Sequence, residues 1–297
     1  MVSIKGTRLS KGKKVMLMVL VVFSIVIMAI FVFFKIPYSP NKNAFQKMIK
    51  KEIDATPEAT GTVSEEDIKG LPEAMRRYFN YIGFVGQPRY NQVRIKYEDT
   101  YFFNIDMNKA LTMQYDLYLF GGRPFRSACI TSSYMGVPFE GMDYCKKIDG
   151  TMQGGMLGVI GKTIQIFDVH NKQMYVAMLI SWVSENILNP TALLSEYITY
   201  KQIDYNHVEA TISYNGVKGT GTFTIDDEGR ITDFYSMERE VAVIDGEETP
   251  IGWGGQYVDY EEKEGIKIPM KMAAYKQYPD KKIVYFDADE YEIIYSK

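Results

Sequence analysis

MYVAMLISWVSENIL, Met174 to Leu188, is the stretch that decides how the chain is read. Seven consecutive apolar residues, Met174 to Ile180, are followed by Trp182, Val183, Ile187 and Leu188. The run is too long for an ordinary strand of about 5–6 residues. Asn171 offers an N-cap and Pro190 stops the run. The pattern predicts a helix that is apolar nearly all round, hence buried on more than one side. Ser181, Ser184 and Glu185 interrupt it too early for a second bilayer span.

Strands surround it. Val93, Ile95 and Tyr97 alternate with Arg94, Lys96 and Glu98, and runs at Leu111–Phe120, Phe125–Tyr134 and Phe139–Ile148 follow. Val208–Tyr214 and Val217–Ile225 are joined by Asn215-Gly216, a strong hairpin signal. A turn at Asp226 to Gly229 leads into Arg230–Val241, and Gly254–Glu262, Ile266–Lys276 and Ile283–Tyr295 complete the series. Period-two runs with short turns argue for an antiparallel sheet, not βαβ units. The expected fold is mainly β within α+β: a large curved antiparallel sheet, an incomplete barrel, wrapping the buried helix.

Val15 to Phe34 is uncharged and apolar. As a helix it rises about 30 Å, the thickness of a bilayer core. Lys5, Arg8, Lys11, Lys13 and Lys14 precede it, and no acidic residue appears before Glu52. Positive flanks stay inside, so the rest of the chain is expected outside. A cleaved signal peptide is disfavoured: its apolar core is shorter and ends in small residues, whereas this one ends in Phe33-Phe34-Lys35. The expected division is a basic tail over 1–14, a transmembrane helix over 15–34, a linker over 35–63 and an extracytoplasmic domain over 64–297. Within the linker, Asn43–Asp54 reads as a short amphipathic helix carrying Phe45, Met48 and Ile49, either lying on the bilayer surface or acting as a spacer. After it, Ser64 starts a helical stretch, and Pro72 opens a helix bearing Met75, Tyr78, Phe79 and Ile82 that Gly83 can end. Beyond Lys35, 28 Lys and Arg face 37 Asp and Glu. That excess of acid disfavours nucleic acid and anionic lipid surfaces as partners.

Leu71-Pro72-Glu73-Ala74-Met75-Arg76-Arg77-Tyr78-Phe79, followed by Gly83 to Pro88, resembles the opening of a family of uncharacterised bacterial membrane-anchored proteins. Asn189-Pro190-Thr191-Ala192-Leu193-Leu194 resembles that family's middle motif, although Leu188 and Asn189 stand where the family has aromatics. Trp253 to Tyr260, with Gly265-Ile266-Lys267-Ile268-Pro269, resembles its last strands. The resemblance spans about residues 70 to 295 and brings no catalytic residues. The pattern is also similar to that of the lipoprotein-localisation carriers, which implies helices held in an incomplete barrel around an acyl-chain cavity.

Catalytic signatures fail on inspection. Gly155 to Thr163 nearly spells a phosphate-binding loop, but five residues separate Gly155 from Gly161-Lys162 where four are needed, and Thr163–Phe167 reads as a strand. His170 and His207 lack a second His at zinc spacing, and no Gly-x-Ser-x-Gly occurs. The acidic groups at Asp226–Glu228 and Asp287–Glu292 lack the spacing of a calcium loop. No cofactor and no metal are expected. Cys129 and Cys145 flank Tyr134–Phe139 symmetrically, so a hairpin centred on Val137 would oppose them for a cross-strand disulfide in an oxidising compartment; two thiols on one side of a hairpin is the alternative.

The expected function is a membrane-anchored, non-enzymatic binding module for an apolar ligand, a lipid or lipidated protein. Leu157, Met178, Trp182 and Glu185 are the expected ligand-binding residues, with Glu185 near the mouth, contacting a headgroup. Glu185 is otherwise read as a surface residue or as a carboxylate buried against an Arg. An envelope interaction module with a solid core, and a hydrolase assembled from scattered residues, are the alternatives.

Overall fold

The structure is a computed structural model describing residues 10–35, 39–104, 108–134, 136–146, 149–157, 163–244 and 246–297. Four helices come first: α1 (Lys11–Lys35), α2 (Pro40–Ala55), α3 (Glu65–Lys69) and α4 (Glu73–Tyr81). Charge-free from Val15 to Phe34, α1 is the one helix among the described residues long and apolar enough to cross a membrane, and none of its spanning window is buried. Ser64 and Asp67 form a reciprocal capping box at the start of α3. The apolar positions read from the sequence are the buried face of α4: Met75, Tyr78, Phe79 and then Ile82. Gly83, at φ +71°, turns the chain out of the helix, a conformation that costs a residue without Cβ little.

Six strands follow: β1 (Gln92–Asn104), β2 (Lys109–Phe120), β3 (Phe125–Tyr134), β4 (Val137–Lys146), β5 (Asp149–Leu157) and β6 (Thr163–Asn171). Then come α5 (Lys172–Glu185), a 3-10 turn (Asn186–Leu188) and α6 (Pro190–Leu193). The chain ends in β7 (Ile198–Gln202), β8 (His207–Tyr214), β9 (Val217–Ile225), β10 (Ile231–Ile244), β11 (Glu247–Lys263), β12 (Ile266–Gln277), β13 (Lys282–Ala288) and β14 (Tyr291–Ser296). The strands form one curved antiparallel sheet, a half-barrel, in the order β6-β5-β4-β3-β2-β1-β13-β12-β11-β10-β9-β8-β7, with β14 also on β1. Asn215 and Gly216 both take positive φ between β8 and β9, the turn that an Asn-Gly pair favours.

Two departures from the sequence reading matter. The last run, Ile283–Tyr295, is two strands, because β13 meets β1 at Tyr101 and Phe102 while β14 meets it at Gln92 to Tyr97. The bulge in β1 between Tyr97 and Thr100, with Asp99 at φ 52°, separates those two partners. Second, α2 does not present its apolar side to a bilayer. Phe45 and Ile49 are buried against Phe120, Phe125, Cys129 and Met142 on the outer face of the sheet. The Asn41 backbone N–H donates to Glu140 Oε2 at 3.1 Å, and Glu52 pairs with Arg123. The apolar stripe that a membrane surface would take is used by the sheet.

Helix α5 sits in the concave face. The Asn171 side chain accepts from the Met174 N–H at 2.7 Å, as its cap. Nine of its residues, Tyr175 and Ala177 to Ser184, are buried, which is the all-round burial its composition demands. Gly150 on β5 admits the first turn of α5: a Cβ there would meet Met174 and Tyr175 backbone atoms at 2.5 Å. One end of the half-barrel is closed by the α4 region. There the Lys267 N–H donates to Ile82 O at 3.0 Å, and Arg77 Nη2 donates to Tyr205 O at 2.6 Å.

Candidate functional site

A cavity of about 450 Å³ lies between α5 and the concave face of the sheet. Helix α5 contributes Met174, Ala177 and Met178; the sheet contributes Phe102, Met113, Met152, Trp253, Met272 and Phe286. Two bulges aim the sheet's side chains. Val93, Ile95 and Tyr97 share the inner face of β1; past the bulge the parity changes, and Phe102 points inward. In β10 the register shifts between Ser236 and Glu240, so Arg239 follows Phe234 and Ser236 into the concavity. A strand without bulges would have turned both toward solvent. The volume falls within the range of about 300–1,000 Å³ typical of small-molecule sites.

The polar groups lie at two places. Toward the closed end, Arg126, one residue into β3, is the hub. Its Nε and Nη2 donate to Glu185 at 2.6 and 3.0 Å, Nη1 to Asp143 Oδ2 at 2.7 Å, and Nη2 to the Tyr115 hydroxyl at 2.8 Å. The Arg126 side chain is 5% exposed. Burial pushes the Glu185 carboxyl above its ordinary range, and the Arg126 guanidinium works against that push. On the opposite wall, Arg239 donates from Nε to Ser181 Oγ at 2.9 Å and stacks over the Trp253 ring at 4.0 Å. Glu240 joins Arg239 and Lys276, at 2.8 and 2.9 Å. Glu185 and Ser181 are one helical turn apart, so α5 is pinned to β3 on one side and β10 on the other.

The structure separates the four residues expected at the ligand. Met178 lines the cavity, beside Cys145 with the sulfurs 3.6 Å apart. Glu185 lines it too, but at the inner end and tied to Arg126, the buried pairing that the sequence left open as an alternative. Trp182 does not line it: the side chain is 1% exposed in the core, and its indole N–H donates to Phe120 O of β2 at 2.9 Å. Leu157 ends β5, and its side chain lies outside the described residues. Arg126, Arg239 and the Met113–Met272 wall were not singled out from sequence. They come from strands far apart in the chain, and only the pairing order brings them together.

The disulfide expectation is corrected. Both cysteines are free, and Cys129 is paired in register with Met142. The β3–β4 hairpin closes between Tyr134 and Val137, not around Val137, and this offset places the two side chains on opposite faces of the sheet. Cys129 lies under α2 and Cys145 under α5. Burial raises both thiols to about 12. Gly155 and Met156 are strand residues of β5, and Thr163 opens β6, so the glycine-rich stretch joins two strands and lacks the helix a phosphate loop requires; residues 158–162 lie outside the described residues. Among the described residues no group of His, Cys, Asp and Glu is arranged to hold a metal ion.

Sheet, helix and cavity together define a half-barrel domain behind an apolar N-terminal helix. Residues 61–288 match a family of unknown function, DUF6544, and the chain belongs to that family. Among curated proteins none matches the sequence. Among solved structures, the chain is similar to a LolA superfamily protein from Nitrosomonas europaea, at 11% identity and a TM-score of 0.37, over 74% of this chain and 90% of that one.

Proposed function

We propose that this chain is a membrane-anchored module that binds an apolar ligand, a lipid or the acyl part of a lipidated protein, between α5 and the sheet, without catalysing a reaction. The observation that carries this reading is the cavity of about 450 Å³ walled by Met113, Met152, Met174, Met178 and Met272 with Phe102 and Phe286. Unbranched thioether side chains adapt to ligands of irregular shape, and an apolar cavity accepts hydrocarbon more readily than water. The charged groups of the cavity wall are engaged with one another, which leaves the methionine wall as the surface open to a chain. The basic residues flanking the apolar run support an orientation with residues 1–14 inside the cell and the domain outside.

A photoactivatable fatty acid tests the reading on the full chain in amphipol. Crosslinks are expected on peptides carrying Met174–Met178 and Met272, beside those on α1. Ala177→Trp, which fills the cavity from the helix, should abolish the first set and leave the α1 crosslinks as an internal control. Labelling confined to α1 in the wild type, with Ala177→Trp only lowering the melting temperature as overpacking does by about 1–3 kcal/mol, would favour a solid interaction module instead.

A further inference from the structure

The strand order gives the half-barrel two unlike ends. At the closed end lie Gln92, Phe120, Phe125, Ile225, Ile231 and Ile266, under the α4 region. At the other end lie the termini Asn104, Lys109, Tyr134, Val137, Ile244, Glu247, Gln277 and Lys282. The cavity wall reaches this second end through Phe103, Val241 and Tyr278, and Val241 is 38% exposed there. This is the open end.

Helix α2 fixes where the anchor joins. Its first turn is bound at Glu140, three residues from the open-end terminus of β4, through the Asn41 and Lys42 N–H groups. Its last turn reaches Arg123, beside the closed-end turn between β2 and β3, through Glu52. The helix therefore runs along the outer face from the open end toward the closed end, and the chain enters it from the open side. From Lys35, the last residue of α1, to Pro40, the first of α2, is five residues. Such a segment spans at most about 18 Å. The closed end lies farther by the length of α2, sixteen residues, or about 24 Å.

We infer that the open end of the half-barrel abuts the bilayer crossed by α1, so that the cavity mouth is presented to the lipid surface and not to bulk solvent. The occupant of this surface is the bilayer itself, held there by a connection too short to let the closed end reach it while α2 stays docked. The docking stands on the tether geometry alone. Its consequence, that a ligand passes between bilayer and cavity without crossing water, rests on the function proposed above.

Depth-dependent quenching tests the docking in the full chain reconstituted in phosphatidylcholine nanodiscs. With both native cysteines replaced by Ser, and the fold checked by circular dichroism and melting, single bimane labels are placed at Lys281→Cys and Glu247→Cys on the open end and at Asp227→Cys and Glu262→Cys on the closed end. Lipids doxyl-labelled near the headgroup should quench the first two at least twofold more than the last two. Equal quenching at all four sites, or stronger quenching at the closed end, overturns the docking. Should the cysteine-free chain not fold, the same comparison is made in the wild type by bimane-free crosslinking, with headgroup-diazirine lipid and peptide mapping of the two ends. Asymmetric quenching with no fatty-acid crosslinks in the cavity would uphold the docking and refute the binding function; cavity crosslinks with symmetric quenching would do the reverse.

Discussion

Replacing Arg126 with Met is expected to destabilise the protein by about 3–5 kcal/mol at neutral pH, as removal of one partner from a buried ion pair does. The guanidinium joins Glu185, Asp143 and Tyr115 in a site almost closed to water. Without it, two carboxylates face each other across that site with no counter-charge between them. The loss should depend on pH with a definite sign. Glu185 already titrates above its unfolded value of 4.5 because of burial, and Arg126 is the group that holds it down. In the variant its folded pKa rises further, so the folded state binds a proton more tightly than the unfolded chain. Stability gained that way is fully present below pH 4.5 and is lost as the pH rises through the folded pKa. Urea denaturation at pH 5.0 and 7.5 checks this: the deficit relative to wild type should be smaller at pH 5.0. An equal deficit at both values would mean that the three side chains are not electrostatically coupled.

Trp182→Ala should cost about 3–5 kcal/mol, the usual price of removing a fully buried aromatic. The side chain is 1% exposed, belongs to the same core as Tyr78, Phe84 and Leu188, and takes no part in the cavity wall. The Phe120 carbonyl also loses its donor. At temperatures where the variant stays folded, fatty-acid crosslinking to the cavity peptides should be unchanged. A variant with wild-type stability and no cavity crosslinks would return Trp182 to the ligand wall, as the sequence first suggested.

Much of the architecture is legible in the sequence. Alternation along β1 and β3, the Asn215-Gly216 turn and the greasy run at Met174 to Leu188 each depend on local spacing, which sequence displays directly. The half-barrel with a helix inside followed from them. What failed was register. A hairpin centred on Val137 and one closing between Tyr134 and Val137 differ by a residue and a half, yet that small offset moves Cys145 to the other face. Bulges are equally silent in sequence. Nothing around Tyr97 announces that the parity of β1 will change, and nothing after Ser236 announces that β10 will take in two extra residues, so nothing marks Phe102 and Arg239 as inward-facing. Burial of α5 was expected, but which of its sides would meet core and which would meet empty space was not. Trp182 and Met178 are four positions apart, close enough to suggest one shared face, yet one packs in the core and the other lines the cavity. Glu185 stands out in the sequence for its charge; its partner, 59 residues earlier, carries no sign of being so.

The free cysteines give the molecule two native gauges. Each thiol is held in its unreactive protonated form by burial, one beneath α2 and the other beneath α5. Alkylation of the buried Cys129 requires the outer helix to lift, and the half-buried Cys145 becomes fully open to reagent when the inner helix moves. Under conditions where closing outpaces alkylation, the two rates report the separate opening free energies of the outer and inner layers. The unmodified chain can thus show whether clasp and lid come loose together or one at a time.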